Sequence, residues 1–134
     1  MPHLVVLYTP NLEAETDMSS LCRSLADTML AQRDEAGQQV FPTGGTRVLA
    51  YPAAHYAVAD GKGDYGFMYL NVRMGAGRSA AVHKEAGDRL LAVVKEHVAP
   101  MFERERVGVT LQIDESPGQV YDAKHSTLHP LFNP

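Results

Sequence analysis

The sequence predicts one α+β domain with α/β-style crossovers, in which two repeated β-α-β units build a four-stranded sheet that carries both helices on one face. Three observations predict it. Apolar residues recur at helical spacing in two stretches, around 18–32 and 79–101. Each stretch is flanked by runs with strand character, so each helix is long enough to serve as a parallel crossover. The whole order returns after about sixty residues, with Leu4 and Phe67 in corresponding places and units over about 2–58 and 65–115, followed by a tail over 116–134. At 134 residues the chain has the length of a single domain; a chain of that size buries roughly two-thirds of its unfolded surface.

The first strand is the continuous apolar run His3–Tyr8, a pattern that suits a strand covered on both faces. A polar loop over 9–16 follows. Met18, Leu21, Cys22, Leu25 and Met29 then form a helical stripe, with Thr16 or Asp17 as N-cap and an end near Gln32. Pro42 and Gly44-Gly45 mark a loop before a second strand over 47–51, for which continuation past Pro52 to Val58 as an edge or bulged segment is the alternative. Residues 60–64 make a turn. From Tyr65 to Met74, Met68, Leu70, Val72 and Met74 alternate with Phe67, Tyr69, Asn71 and Arg73, which is strand periodicity. Ser79 caps a second helix with Val82, Ala86, Leu90, Val94 and Val98 on one face, and Pro100 should end or kink it. Val107, Val109, Leu111 and Ile113 define the last strand.

Two helices on one face leave the other face of the sheet bare, which predicts an oligomer. The tail, with its apolar terminus Leu128–Phe132, is long enough to embrace a neighbouring subunit. A net charge of −4 argues against non-specific binding to nucleic acid or to a membrane surface, since both attract basic proteins, but it leaves a small anionic substrate open. The sequence has neither an apolar run of membrane-spanning length nor a signal peptide's basic and apolar segments, so a cytoplasmic protein is expected. Cys22 is the single cysteine; its place on the helical stripe reads as core packing rather than as a nucleophile.

The chemistry starts at Pro2. With Met1 trimmed, as is usual before a small residue, Pro2 is a secondary amine fixed to the head of a strand. An α-amino group ordinarily has a pKa of about 7.7 to 8.0. A prolyl amine is more basic, so it needs burial or neighbouring cations to be unprotonated at neutral pH. Alternatively, Pro2 merely starts a strand, where its missing N–H costs little. Gly75-Ala76-Gly77-Arg78-Ser79 joins a strand to a helix, yet no acidic residue follows at the distance a dinucleotide's ribose requires. What remains is a carboxylate clamp built from a helix N-terminus and Arg78, or else a solvent-facing arginine. Arg47, directly after Gly44-Gly45-Thr46, is a second carboxylate contact or a surface residue. The six histidines, at 3, 55, 83, 97, 125 and 129, form no metal motif, and the His125/His129 pair needs a helix that Pro130 disfavours.

Pro2 at the strand head, the doubled β-α-β plan, Ala59-Asp60-Gly61 with Asp64-Tyr65, the Gly75–Ser79 turn and the His129-x-Leu131-Phe132 tail resemble the 5-carboxymethyl-2-hydroxymuconate isomerases, long-chain members of the tautomerase superfamily. The resemblance runs over nearly the whole chain. It implies a homotrimer and a cofactor-free, metal-free isomerisation of an unsaturated 2-hydroxy di- or tricarboxylic acid in aromatic-compound (homoprotocatechuate) degradation. It puts the general base on Pro2 and the substrate-holding arginines on Arg47 and Arg78. Glu13 and Leu49 stand where related sequences place arginines, which leaves the exact substrate open. The alternatives are a sibling tautomerase acting on another α-keto acid and a trimeric ligand-binding protein in which Pro2 is idle.

Overall fold

A computed structural model of the chain describes residues 2–103 and 106–132, so the fate of Met1, on which a free Pro2 amine depends, lies outside the described residues. The elements are β1 (His3–Tyr8), α1 (Met18–Ala31), β2 (Arg47–Pro52), β3 (Gly66–Gly75), α2 (Ala80–Phe102), β4 (Val107–Ser116) and α3 (Leu128–Phe132). The strands lie in the order β2-β1-β3-β4. β1 runs parallel to β2 and antiparallel to β3, and β3 runs parallel to β4, so each helix is the crossover of one parallel pair.

Local signals place the helix ends. The Asp17 carboxylate accepts from the Ser20 amide at 3.1 Å and starts α1; the Ser79 hydroxyl accepts from the Val82 amide at 3.2 Å and starts α2. Both caps satisfy amides that have no partner within the helix. α2 ends at Phe102, two residues after Pro100, so the proline falls in its last turn, where the helix was expected to end or kink. β2 ends at Pro52 and does not extend to Val58; the Ala53 amide instead donates to the Tyr8 carbonyl at 2.8 Å.

α1 and α2 pack against one another and against the same side of the sheet. Leu4, Val6 and Tyr8 of β1 and Met68, Leu70, Val72 and Met74 of β3 all point into that layer and are buried. Fully burying each such aliphatic side chain stabilises the fold by about 1.5–3 kcal/mol. The expected match of Leu4 with Phe67 is off by one residue. Leu4 is wholly buried while Phe67 is 36% exposed on the opposite face, and Met68 takes the helix-facing place. Because strand side chains alternate, a shift of one residue changes the face.

The other face is bare in the single chain. Leu7, Leu49 and Tyr51 are 46%, 44% and 50% exposed there, so β1 is not covered on both sides by its own chain. The tail also departs from expectation, since 128–132 form a helix despite Pro130. Pro130 falls in its first turn, where the amide has no intrahelical partner to lose. The helix is too short to include His125, and it packs on the turn Thr43–Gly45 of the same chain.

Candidate active site

Parallel pairing of β1 with β2 and antiparallel pairing with β3 bring the start of β1, the start of β2 and the end of β3 to one end of the sheet. His3 lies opposite Arg47 on one side and Arg73 on the other. Pro2 is buried immediately before it, and Arg78 follows β3 in the turn to α2. The topology thus gathers Pro2, Arg47 and Arg78 at the same end.

His3 reports the electrostatics of this place. Burial pushes its pKa below the ordinary histidine value, and the guanidinium of Arg47 and, more weakly, that of Arg73 push it the same way. Both effects disfavour a cation beside Pro2. Arg73 is a residue that strand alternation alone did not single out. Its Nε donates to Asn71 Oδ1 at 2.8 Å, and Asn71 Nδ2 donates to Asp114 Oδ2 at 2.8 Å, which forms a polar row across β3 and β4 on the open face.

Arg78 is tied into the backbone. Its Nη2 donates to the Val40 carbonyl at 2.7 Å and its Nη1 to the Gly75 carbonyl at 3.3 Å, fastening the loop before β2 to the end of β3. It is therefore not the solvent-facing arginine of the alternative reading. The start of α2 already has a carboxylate nearby: the Ser79 hydroxyl donates to Glu35 Oε1 at 2.8 Å.

A cavity of about 1410 Å³ is an open groove along the outer edge of β2. Tyr8, Glu13, Cys22, Arg47 and Phe132 line it and Pro2 does not, so only its Arg47 end adjoins the cluster at the head of the sheet. The Tyr8 hydroxyl donates to the Glu13 carboxylate. Burial, with the Glu13 charge added, pushes the tyrosine pKa up to about 12. Glu13, where the resemblance led us to expect an arginine, is thus committed to Tyr8. Cys22 is half-buried at the groove wall and not in the core, because one residue of helical rotation carries it away from Leu21. Burial raises its thiol pKa, which disfavours the thiolate a nucleophile needs.

Gly44 and Gly45, the pair just ahead of Arg47, are approached by the chain's own tail. A methyl group on Gly44 would lie 3.0 Å from His129 Cα, and one on Gly45 would lie 3.2 Å from the His129 ring.

Strand order and crossovers define a tautomerase-like α+β fold. The chain belongs to the 5-carboxymethyl-2-hydroxymuconate isomerase family, whose profile matches residues 2–132, and it is an isomerase by that membership. It is 28% identical over 132 residues to the 5-carboxymethyl-2-hydroxymuconate Delta-isomerase of Escherichia coli, covering 98% of this chain and 99% of the relative. A crystal structure of a 5-carboxymethyl-2-hydroxymuconate delta-isomerase superposes with a TM-score of 0.93 at 55% identity, over 100% of this chain and 94% of the other. A 5-carboxymethyl-2-hydroxymuconate isomerase from Deinococcus radiodurans R1 superposes with a TM-score of 0.85 at 33% identity, over 99% and 95%. Among the described residues no helix is long and apolar enough to cross a membrane.

Proposed function

We propose that this protein is a cofactor-free cytoplasmic isomerase that moves a proton within an unsaturated 2-hydroxy di- or tricarboxylic acid such as 5-carboxymethyl-2-hydroxymuconate. One observation carries the reading: Pro2 is buried at the head of the central strand pair, next to a histidine flanked in register by Arg47 and Arg73. Repulsion from those guanidinium groups and loss of water favour the neutral amine over the ammonium. The neutral amine takes a proton from the 2-hydroxyl group of the dienol, and the electron pair moves through the conjugated system. The resulting ammonium then delivers the proton to carbon, so one group serves as base and then as acid. Arg47 holds a substrate carboxylate; Arg78, with N–H groups beyond the two bonded to backbone, holds another.

The test is conversion of a 2-hydroxymuconate-type dienol diacid in D2O. Loss of dienol absorbance should accompany entry of one deuterium at the newly saturated carbon, faster than with the enol of phenylpyruvate. A faster reaction of the phenylpyruvate enol assigns the sibling activity. No reaction of either, with the diacid still bound, assigns a binding protein.

The bare face of the sheet supports a homotrimer. Leu7, Leu49, Tyr51 and Phe67 would be covered if three such faces packed together, and exposed apolar surface of this kind marks association. Light scattering at micromolar concentration should give three times the chain mass; a monomeric mass contradicts the assembly.

A further inference from the structure

We infer that His129 is a substrate-contacting residue of the Pro2 site, its Nε2 hydrogen-bonded to the substrate oxygen on carbon two, an inference that rests on the isomerase reading above. The tail brings the ring there by construction. The Ser126 hydroxyl accepts from the Leu128 amide at 3.0 Å and starts α3. α3 then lies against Thr43–Gly45 so closely that any side chain on Gly44 would meet backbone, His129 Cα at 3.0 Å and the Leu128 carbonyl at 3.1 Å. Next to it, Gly45 leaves room for the imidazole. The point where a Gly45 methyl group would sit is 3.8 Å from His129 Nε2 and also 3.8 Å from Pro2 Cδ, the carbon bonded to the proline nitrogen.

Nε2 is buried and has no hydrogen-bond partner among the described residues. A buried polar atom without a partner costs about 1–3 kcal/mol, and such an atom calls for an explanation, of which a catalytic role is one. Three other buried side-chain atoms share that state, on Asn11, Gln32 and His83, but the last has the Glu115 carboxylate at 3.4 Å, and none of the three meets the Gly45 position beside Pro2. The chemistry of the substrate divides the polar groups. Carboxylates suit the arginine forks, whereas the oxygen on carbon two is a hydroxyl in the dienol and a carbonyl in the product. An imidazole Nε2–H can donate to a lone pair of either, which leaves the hydroxyl proton to Pro2. Negative charge grows on that oxygen as its proton leaves, so a donor there is worth more in the transition state than in the bound substrate.

The experiment compares wild type, His129→Leu and His129→Gln on the 2-hydroxymuconate-type dienol, with a melting curve for each. His129→Leu should lower kcat by about tenfold with KM little changed, as expected for one hydrogen bond made mainly in the transition state. His129→Gln, which keeps an N–H donor near the same place, should recover most of the loss. A leucine variant as fast as wild type overturns the inference. So does a glutamine variant as slow as leucine, or a rate loss that only follows a fallen melting temperature. An inactive wild type would instead sink the isomerase reading and take this inference with it, whereas an active wild type with an unaffected His129→Leu removes His129 alone.

Discussion

Protein that retains Met1 should turn over the dienol about 10²–10⁴ times more slowly than trimmed protein, the range that a positioned proton carrier contributes. The reason is the nitrogen itself. Acylated by Met1, Pro2 is part of an amide with no basic lone pair, while trimmed Pro2 is a secondary amine held by the first residues of β1. Pro2→Ala in trimmed protein puts a primary amine in nearly the same place and should retain part of the activity. Burial, with the arginine beside His3 acting the same way, sets the direction of the pH dependence. Both disfavour the ammonium form of the neighbouring amine, so the rate should rise along one ionisation lying below that of a free prolyl amine and level off near neutrality. Steady-state rates of the three proteins across pH check both points.

Arg78→Ala should destabilise the fold by about 1.5–3 kcal/mol, the scale of one hydrogen bond to a charged group, and should also raise KM about tenfold through the loss of a carboxylate contact. The stability term comes from the 2.7 Å bond to the Val40 carbonyl, which joins a buried segment, Val40-Phe41, to the end of β3; the 3.3 Å bond to Gly75 adds less. Arg78→Lys should fall between, because an ammonium cannot span both carbonyls as a planar fork does. Denaturant titration gives the first quantity and substrate saturation the second. Lost stability with unchanged kinetics leaves Arg78 as a brace only; unchanged stability with a raised KM returns it to the pure clamp read from the sequence.

That contrast shows what a linear sequence can carry. The helices and strands were legible because burial imposes a period: Leu21, Leu25 and Met29 on α1, and Met68, Leu70, Val72 and Met74 on β3, repeat at the spacing of their element. Asp17 and Ser79 were legible as caps because capping depends on local residue type. Pro2, Arg47 and Arg78 could be picked out by neighbouring glycines and by resemblance to a family, but not by what they touch. The bond of Arg78 to Val40 spans 38 residues and ends on a carbonyl, which every residue possesses and no pattern marks. His129 was hidden for a different reason. Pro130 argues against a helix in general, but at the first turn of a five-residue helix that argument does not hold. Arg73 became visible only when strand pairing placed it across from His3.

The central claim is that the Pro2 amine carries the proton. In trimmed protein labelled with ¹⁵N-proline, the amine nitrogen can be followed by NMR through a pH titration and set beside the pH profile of kcat/KM, which reports the ionisations of the free enzyme. The account predicts a single midpoint shared by the two curves and lying below that of a free prolyl amine. A nitrogen that titrates as an ordinary prolyl amine while the rate follows a different ionisation would contradict it.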